Sequence, residues 1–120
     1  MEKRPKTLFI DIDGTLLHHC GMGILQTQKK KPKLLPGVIK KFDEWDRRGD
    51  NIILVTGRRE SERTVTEEQL HSVGIVYDYL IMGIGGGQRV LINDYKEDSK
   101  DPTALAICVE RNKGIEKIEI

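Results

Sequence analysis

Apolar and polar stretches alternate along the chain in a way that predicts a succession of strands and helices. Short apolar runs bounded by turn residues are typical of buried strands. Longer stretches with apolar residues at helical spacing, closed by a glycine, are typical of helices that pack on a sheet. The predicted strands occupy residues 7–12, 51–57, 77–83, 85–94 and 115–120, and the predicted helices occupy residues 36–48, 59–74 and 101–114.

Each predicted helix has an apolar face that can pack against a sheet. In the first helix Val38, Phe42 and Trp45 share that face, and in the second helix Leu70 is one of the apolar anchors. Cys108 lies on the apolar face of the third helix. We therefore expect its thiol to be buried and chemically inert.

The alternation of strands and helices is typical of an α/β fold. Such chains form right-handed crossovers and a parallel sheet with helices on both faces. We predict one domain over residues 1–120, a Rossmann-like three-layer sandwich with a mostly parallel five-stranded sheet of order 5-4-1-2-3. In that order the second and fourth strands flank the first, so the carboxyl ends of all three meet at one edge.

Polar side chains follow these three strands. Asp11 and Asp13 come at the end of the first strand, Thr56 ends the second and Asp94 ends the fourth. A carboxylate at the end of a buried strand is costly to desolvate unless it is paired. Three carboxylates that converge form a hard-cation site that suits Mg²⁺, and an aspartate can also attack phosphorus. The pattern predicts phosphoryl-transfer chemistry.

Composition and charge narrow the function classes. Lys and Arg number 20 against 19 Asp and Glu, a net charge of +1, which argues against a dedicated nucleic-acid binder. No apolar run is long enough for a membrane span, and we read no signal peptide. The two cysteines lack metal-site spacing. We expect a cytoplasmic protein with reduced thiols, no membrane partner and no zinc site.

Three short motifs occur in a characteristic order. Residues 11–15 read "DIDGT", residues 55–58 read "VTGR" and residues 91–94 read "LIND". In this arrangement the chain resembles the haloacid dehalogenase (HAD) superfamily of phosphatases. The resemblance extends over essentially the whole chain and implies Mg²⁺-dependent hydrolysis of a phosphomonoester.

The resemblance also implies a role for each motif residue. Asp11 is expected to be the nucleophile and a metal ligand. Asp13 is expected to be the general acid/base, with its main-chain carbonyl on the metal. Thr56, with the neighbouring Gly57, is expected to bind the phosphate, and Asp94 is expected to be the remaining metal ligand.

One expected residue of this family is missing. Between Tyr77 and Asp94 there is no Lys to neutralise the phosphate, and three other cations are candidates for that role. If the fourth strand is straight, Arg89 lies at its far end, roughly five residues and ~16 Å from the catalytic edge. We therefore rank Lys96 and Arg58 above Arg89 as phosphate-binding residues.

The connections where this family often inserts a cap domain are too short here to hold one. The resemblance therefore implies a capless enzyme. Capless members tend to act on large or exposed phosphate groups, or to use a neighbouring subunit as a lid. Homo-oligomerisation stays open for the same reason.

Several alternatives remain open at this stage. We favour a small-molecule phosphomonoester as substrate. A nucleic-acid-end phosphatase could instead use the basic run "KKKPK" at 29–33, which we otherwise read as a solvated turn. A third alternative is a regulatory module that keeps the fold and binds metal or phosphate with little catalysis. We read "HHC" at 18–20 as a loop near the site rather than as a metal centre.

Overall fold

Three strands and two helices make up the regular part of the structure. In the computed structural model, which describes residues 4–19 and 30–120, these elements are strand β1 (Thr7–Asp11), helix α1 (Val38–Arg47), strand β2 (Asn51–Val55), a 3-10 turn (Glu60–Glu62), helix α2 (Arg63–Ser72) and strand β3 (Tyr79–Ile81). They confirm the first five elements expected from the sequence. Neither helix in these two ranges is long and apolar enough to cross a membrane.

The three strands form a parallel sheet of order β1-β2-β3. Asp11 lies opposite Val55, and Val55 lies opposite Ile81, so the three strands reach the same edge of the sheet together. This arrangement agrees with the 1-2-3 part of the predicted order.

Helix α1 packs its predicted apolar face into the core. Val38, Phe42 and Trp45 are all buried, and the two rings lie 5.6 Å apart between centroids. The inner face of the sheet contributes Ile52 and Leu54 to the same core. Helical spacing on α1 was therefore a reliable signal, because this face has a sheet to cover.

The opposite face of the sheet is open in the described structure. Phe9 is 53% exposed, Tyr79 is 65% exposed and Ile81 is 41% exposed. These side chains alternate with the buried ones along their strands, as the two-residue repeat of a strand requires. The described residues therefore cover one face of the sheet, whereas the predicted three-layer sandwich needs both faces covered.

The predicted fourth strand, residues 85–94, is not formed. The segment is irregular, and Val90, Leu91 and Ile92 are 71%, 55% and 87% exposed. Apolar patterning reports only that a segment would gain from burial, and a strand also needs a partner for its main-chain hydrogen bonds. Beside the glycine-rich turn this segment lies away from β1, so that partner is missing.

The predicted third helix, residues 101–114, and last strand, residues 115–120, are also irregular in the structure. A helix of this length needs tertiary packing to be stable in water. Leu105, on its expected apolar face, is 72% exposed, so that packing is absent. Cys108 is consequently a free, exposed thiol, and its predicted burial is wrong. The five-strand order remains unconfirmed.

The last ten residues pack against the start of α1 instead. The Ile115 N–H donates to the Pro36 carbonyl at 3.0 Å, and the Ile115 side chain is buried. Gly37 has a positive φ of 82°, and a Cβ atom there would overlap the main chain of Glu116. The close approach of these two segments therefore depends on a glycine at this position.

Candidate active site

The site is built at the carboxyl edge of the sheet. Asp11 is the last residue of β1, and Thr56 directly follows β2. The Thr56 N–H donates to the Ile81 carbonyl at 3.0 Å, which continues the pairing one residue beyond the strand. The Thr56 side chain is buried, and its hydroxyl accepts the Arg58 N–H at 3.1 Å. The structure therefore brings Asp11 and Thr56 to one edge, as the sequence predicts.

A tight turn follows β1 and presents Asp13. The carbonyl of Ile12 accepts main-chain N–H groups from residues 15–17, and the Gly14 N–H donates to the Leu17 carbonyl at 2.7 Å. Gly14 has a φ of +90°, where an L side chain is strained. The glycine of the "DIDGT" motif thus makes the turn that separates the two carboxylates.

Arg58 fixes the Asp13 carboxylate in place. Its Nε and Nη2 atoms donate to the two carboxylate oxygens at 2.8 Å each, a bidentate pair. Its Nη1 atom donates to the Thr66 hydroxyl at 3.1 Å and to the Gln69 side-chain carbonyl at 2.7 Å. The Arg58 side chain is only 7% exposed. Most of its donors are thus committed to protein groups rather than directed to solvent.

Thr66 and Gln69 were not predicted as site residues. They lie three residues apart on α2, so they share one face of the helix, and both are buried. Two polar side chains on a buried helical face need hydrogen-bond partners, and that pattern was the available signal. Which partner they meet is decided by the packing of α2 beside β2.

The Asp11 carboxyl lies in an environment that disfavours its charge. Partial desolvation is the main cause that raises its pKa, and the charge of Asp13 raises the pKa further. The Ile12 N–H, the charge of Arg89 and the Thr15 hydroxyl oppose this rise in pKa. The Thr15 Oγ1 donates to Asp11 Oδ2 over a long distance of 3.4 Å. A cation bound at Asp11 would offset the cost of desolvation.

Arg89 influences Asp11 although it ranked last among the candidate cations. Its charge is the cationic contribution that lowers the pKa of Asp11, while Arg58 is held by Asp13. The ranking rested on a straight fourth strand that would keep Arg89 at a distance. That strand is not formed, so the distance estimate does not apply. Which of Arg58, Arg89 and Lys96 contacts the phosphate stays a prediction.

The donors that could hold a divalent cation lie in the turn after β1. Mg²⁺ is commonly bound by one or two carboxylates, with water and substrate phosphate completing its shell. The Asp11 carboxylate and the Asp13 main-chain carbonyl fit that pattern. Asp94 does not join them, because it lies exposed in the irregular segment. In residues 4–19 and 30–120, no three His, Cys, Asp or Glu side chains gather to form a metal cluster.

The C-terminal segment braces the loop that follows the motif. The His19 N–H donates to Asn112 Oδ1 at 2.7 Å, and Asn112 Nδ2 donates to the His19 carbonyl at 3.0 Å. The Asn112 N–H donates to the Gly14 carbonyl at 2.8 Å. Asn112 was not predicted, because its contacts depend on a return of the chain across nearly a hundred residues. Cys20, the last residue of "HHC", lies outside the described residues.

A cleft of about 510 Å³ opens beside Asp13. The described part of the basic run reaches it, because the His18 N–H donates to the Lys33 carbonyl and the Leu35 N–H donates to the Leu16 carbonyl, both at 2.9 Å. The cleft is lined on its charged sides by Asp13, Lys30, Lys31, Lys33, Arg58, Arg59 and Glu62. The basic run and the candidate catalytic residues therefore share one opening.

Two solved structures resemble this chain. One is titled "Structure of Pnkp1/Rnl/Hen1 complex", with 29% identity and a TM-score of 0.59, and the match covers 79% of this chain and 31% of that one. The other is titled "Structure of the Pnkp1/Rnl/Hen1 RNA repair complex", with 28% identity and a TM-score of 0.59, covering 74% and 29%. The chain therefore spans less than a third of either matched protein. No curated protein matches it.

A family profile assigns the chain more directly. The profile described as "HAD superfamily, subfamily IIIB (Acid phosphatase)" matches residues 25–104, which is more than half of the chain. The matched segment begins after the "DIDGT" motif, so the motif and the profile are separate indications of the same family. The chain belongs to the HAD superfamily, in the subfamily IIIB acid phosphatases.

Proposed function

We propose that the protein is a Mg²⁺-dependent phosphatase that hydrolyses a phosphomonoester through an aspartyl-phosphate on Asp11, with Asp13 as general acid/base. The observation that carries the proposal is the arrangement at the sheet edge. Asp11 and Asp13 flank one tight turn beside Thr56, and Arg58 holds the Asp13 carboxylate by two hydrogen bonds. Membership of an acid phosphatase subfamily supports the same reaction class.

The reaction proceeds in two displacements at phosphorus. In the first, an Asp11 carboxylate oxygen forms a bond to phosphorus, the ester P–O bond breaks, and Asp13 gives its proton to the leaving alcohol. In the second, water attacks phosphorus, Asp13 takes a proton from it, and the bond between Asp11 and phosphorus breaks. Inorganic phosphate leaves and both carboxyl groups return to their starting states.

The residues present would hold a metal and the phosphate on opposite sides of Asp11. The Asp11 carboxylate and the Asp13 main-chain carbonyl would bind Mg²⁺, which when bound neutralises phosphate charge. The Thr56 hydroxyl and the Gly57 N–H would hold phosphoryl oxygens. Asp94 would complete the metal shell only if its segment approached the sheet edge, and its role stays a prediction.

Arg58 is better suited to position Asp13 than to bind phosphate. Its donors to Asp13, Thr66 and Gln69 already use most of the guanidinium. A bidentate pair fixes both the position and the rotation of the carboxylate. Proton transfer requires that the acid reach the leaving oxygen within hydrogen-bond distance. We therefore assign Arg58 a positioning role in this mechanism.

One observation favours a second candidate, a module of the same fold that binds metal or phosphate with weak catalysis. Asp94 stands apart from Asp11 and Asp13, and the family's Lys is missing. A weakly catalytic module would bind Mg²⁺ or phosphate without turnover above background. The titles of the two similar structures instead refer to an RNA repair complex, and this keeps a nucleic-acid end among the candidate substrates.

A substrate panel tests the proposal. Wild type and Asp11→Asn are assayed with Mg²⁺ against sugar phosphates, nucleotides and phosphorylated oligonucleotides, with Asp43→Asn, an exposed carboxylate on α1, as the matched control. We expect turnover by wild type and by the control, and a loss of about 10³-fold or more in Asp11→Asn. An Asp11→Asn variant that keeps its rate would exclude the mechanism. Mg²⁺ binding without turnover of any substrate would favour the module.

A further inference from the structure

The cleft beside Asp13 carries much more positive charge than the chain as a whole. Among its lining residues five are Lys or Arg and two are Asp or Glu, whereas the whole chain has a net charge of only +1. The cations come from two separate parts of the chain, the 30–33 segment and the turn after β2. Charge concentrated on facing walls of a cleft attracts anions more strongly than the same charge spread over a surface.

The two walls are held together by specific contacts. The 30–33 segment is anchored by the hydrogen bonds from His18 and Leu35, and the Gln69 side chain donates to the Lys30 carbonyl at 3.4 Å. Gln69 also accepts from Arg58 at 2.7 Å. The same glutamine therefore contacts the lysine segment and the arginine that positions Asp13.

The size of the cleft exceeds the needs of a single phosphate. A cavity of about 510 Å³ falls within the range that holds ligands of drug or nucleotide size. The phosphoryl group that reacts is expected at Asp11 and Thr56, at the inner end of this opening. Lys30, Lys31 and Lys33 then lie beyond the reacting phosphate, where further negative charge of the substrate would extend.

We propose that this cleft binds the phosphodiester backbone of a nucleic-acid strand whose terminal phosphate is the group removed. This inference rests on the proposed phosphatase function and names its substrate class. Lysine and arginine contacts to backbone phosphates position a strand without reading its sequence. The residues that line the cleft include no Phe, Tyr or Trp for base stacking, so recognition is through the backbone and independent of sequence.

Binding and turnover are measured with single-stranded oligonucleotides that carry a 3′-phosphate, a 5′-phosphate or hydroxyl ends, each as DNA and as RNA, and with the matching mononucleotides. The test variant is Lys31→Gln combined with Lys33→Gln. The matched control is Lys40→Gln combined with Lys117→Gln, two exposed lysines that do not line the cleft. Anisotropy at several salt concentrations gives the affinity, and phosphate release gives kcat/KM.

For wild type we expect a higher kcat/KM on a phosphorylated oligonucleotide than on the mononucleotide, and the better end identifies the polarity of the strand. The test variant should lower that preference about tenfold and reduce the slope of log K against log salt by about 1.4, the value for two lost backbone contacts. The control should behave as wild type.

The outcomes separate the inference from the proposed function. Equal preference and equal salt slope in the test variant and the control would overturn the inference, and turnover of small esters would still stand. Salt-dependent oligonucleotide binding through Lys31 and Lys33, without release of phosphate from any substrate, would overturn the phosphatase proposal and keep the cleft as a backbone-binding site.

Discussion

The Arg58 guanidinium connects the turn after β1 with helix α2 through a single side chain. It donates to Asp13 on one side and to Thr66 and Gln69 on the other. The "VTGR" motif predicted a cation near the phosphate, and the structure places that cation against a carboxylate. A sequence motif gives residue types and spacing, whereas the partner of a long side chain depends on which helix packs beside it.

Replacement of Arg58 by Lys separates positioning from phosphate binding. A lysine cannot make the bidentate pair, so we expect kcat to fall about 10²-fold while KM changes little. Steady-state kinetics with Arg47→Lys as an exposed control, and thermal unfolding of all three proteins, provide the measurement. A higher KM with unchanged kcat would assign Arg58 to the phosphate instead.

The raised pKa of Asp11 predicts how metal-free stability depends on pH. Because the folded-state pKa lies above the ordinary 3.8, folding favours the protonated carboxyl. The stability that this preference supplies is complete below pH 3.8 and is lost as the pH rises through the folded-state pKa.

In EDTA, Asp11→Asn should therefore unfold at a higher temperature than wild type at neutral pH, and the difference should shrink as the pH falls. Differential scanning fluorimetry across that range provides the measurement. Mg²⁺ should raise the unfolding temperature of wild type more than that of the variant. A wild type that is the more stable protein at neutral pH without metal would contradict the assigned direction.

At the scale of elements, periodicity predicted the segments that have a packing partner. Strands β1 and β2 and helix α1 lie against each other, so their apolar residues are buried where the pattern placed them. Residues 85–94 and 101–114 carry similar patterns but lie exposed. Pattern alone cannot distinguish these cases, because burial depends on contacts between distant segments.

The junction between α1 and the C-terminal segment gives a matched pair of glycine variants. Gly37 and Gly49 both have positive φ, but a Cβ atom at Gly37 would overlap Glu116, whereas nothing lies within 4 Å of one at Gly49. We expect Gly49→Ala to cost about 1–2 kcal/mol from backbone strain alone, and Gly37→Ala to cost more. Urea unfolding measures both, and equal costs would show that the Gly37–Glu116 approach is absent in solution.

At the scale of the whole molecule, the chain is less compact than its length suggests. The Cα radius of gyration is 15.2 Å, against about 13.6 Å for a compact domain of this length. The difference accompanies the irregular residues 83–110 and the exposed face of the sheet. The predicted five-stranded sandwich would be more compact, so global dimensions distinguish the two arrangements.

Hydrogen exchange followed by mass spectrometry tests this part of the fold. Amides of β1 and β2 are paired within the sheet and should exchange slowly, whereas those of residues 88–94 and 103–110 should exchange rapidly. Slow exchange in residues 88–94 would show that the fourth strand forms in solution. Asp94 would then come to the sheet edge beside Asp11.

The most direct test of the proposed function locates the phosphoryl group on the enzyme. Asp13→Asn should slow hydrolysis of the phosphoenzyme, so an acid-quenched reaction with the best substrate of the panel should contain protein heavier by one phosphoryl group. Peptide mapping should place that group on Asp11, and the Asp11→Asn variant should carry none. A phosphoryl group on another residue, or undiminished phosphate release by Asp11→Asn, would contradict catalysis through Asp11.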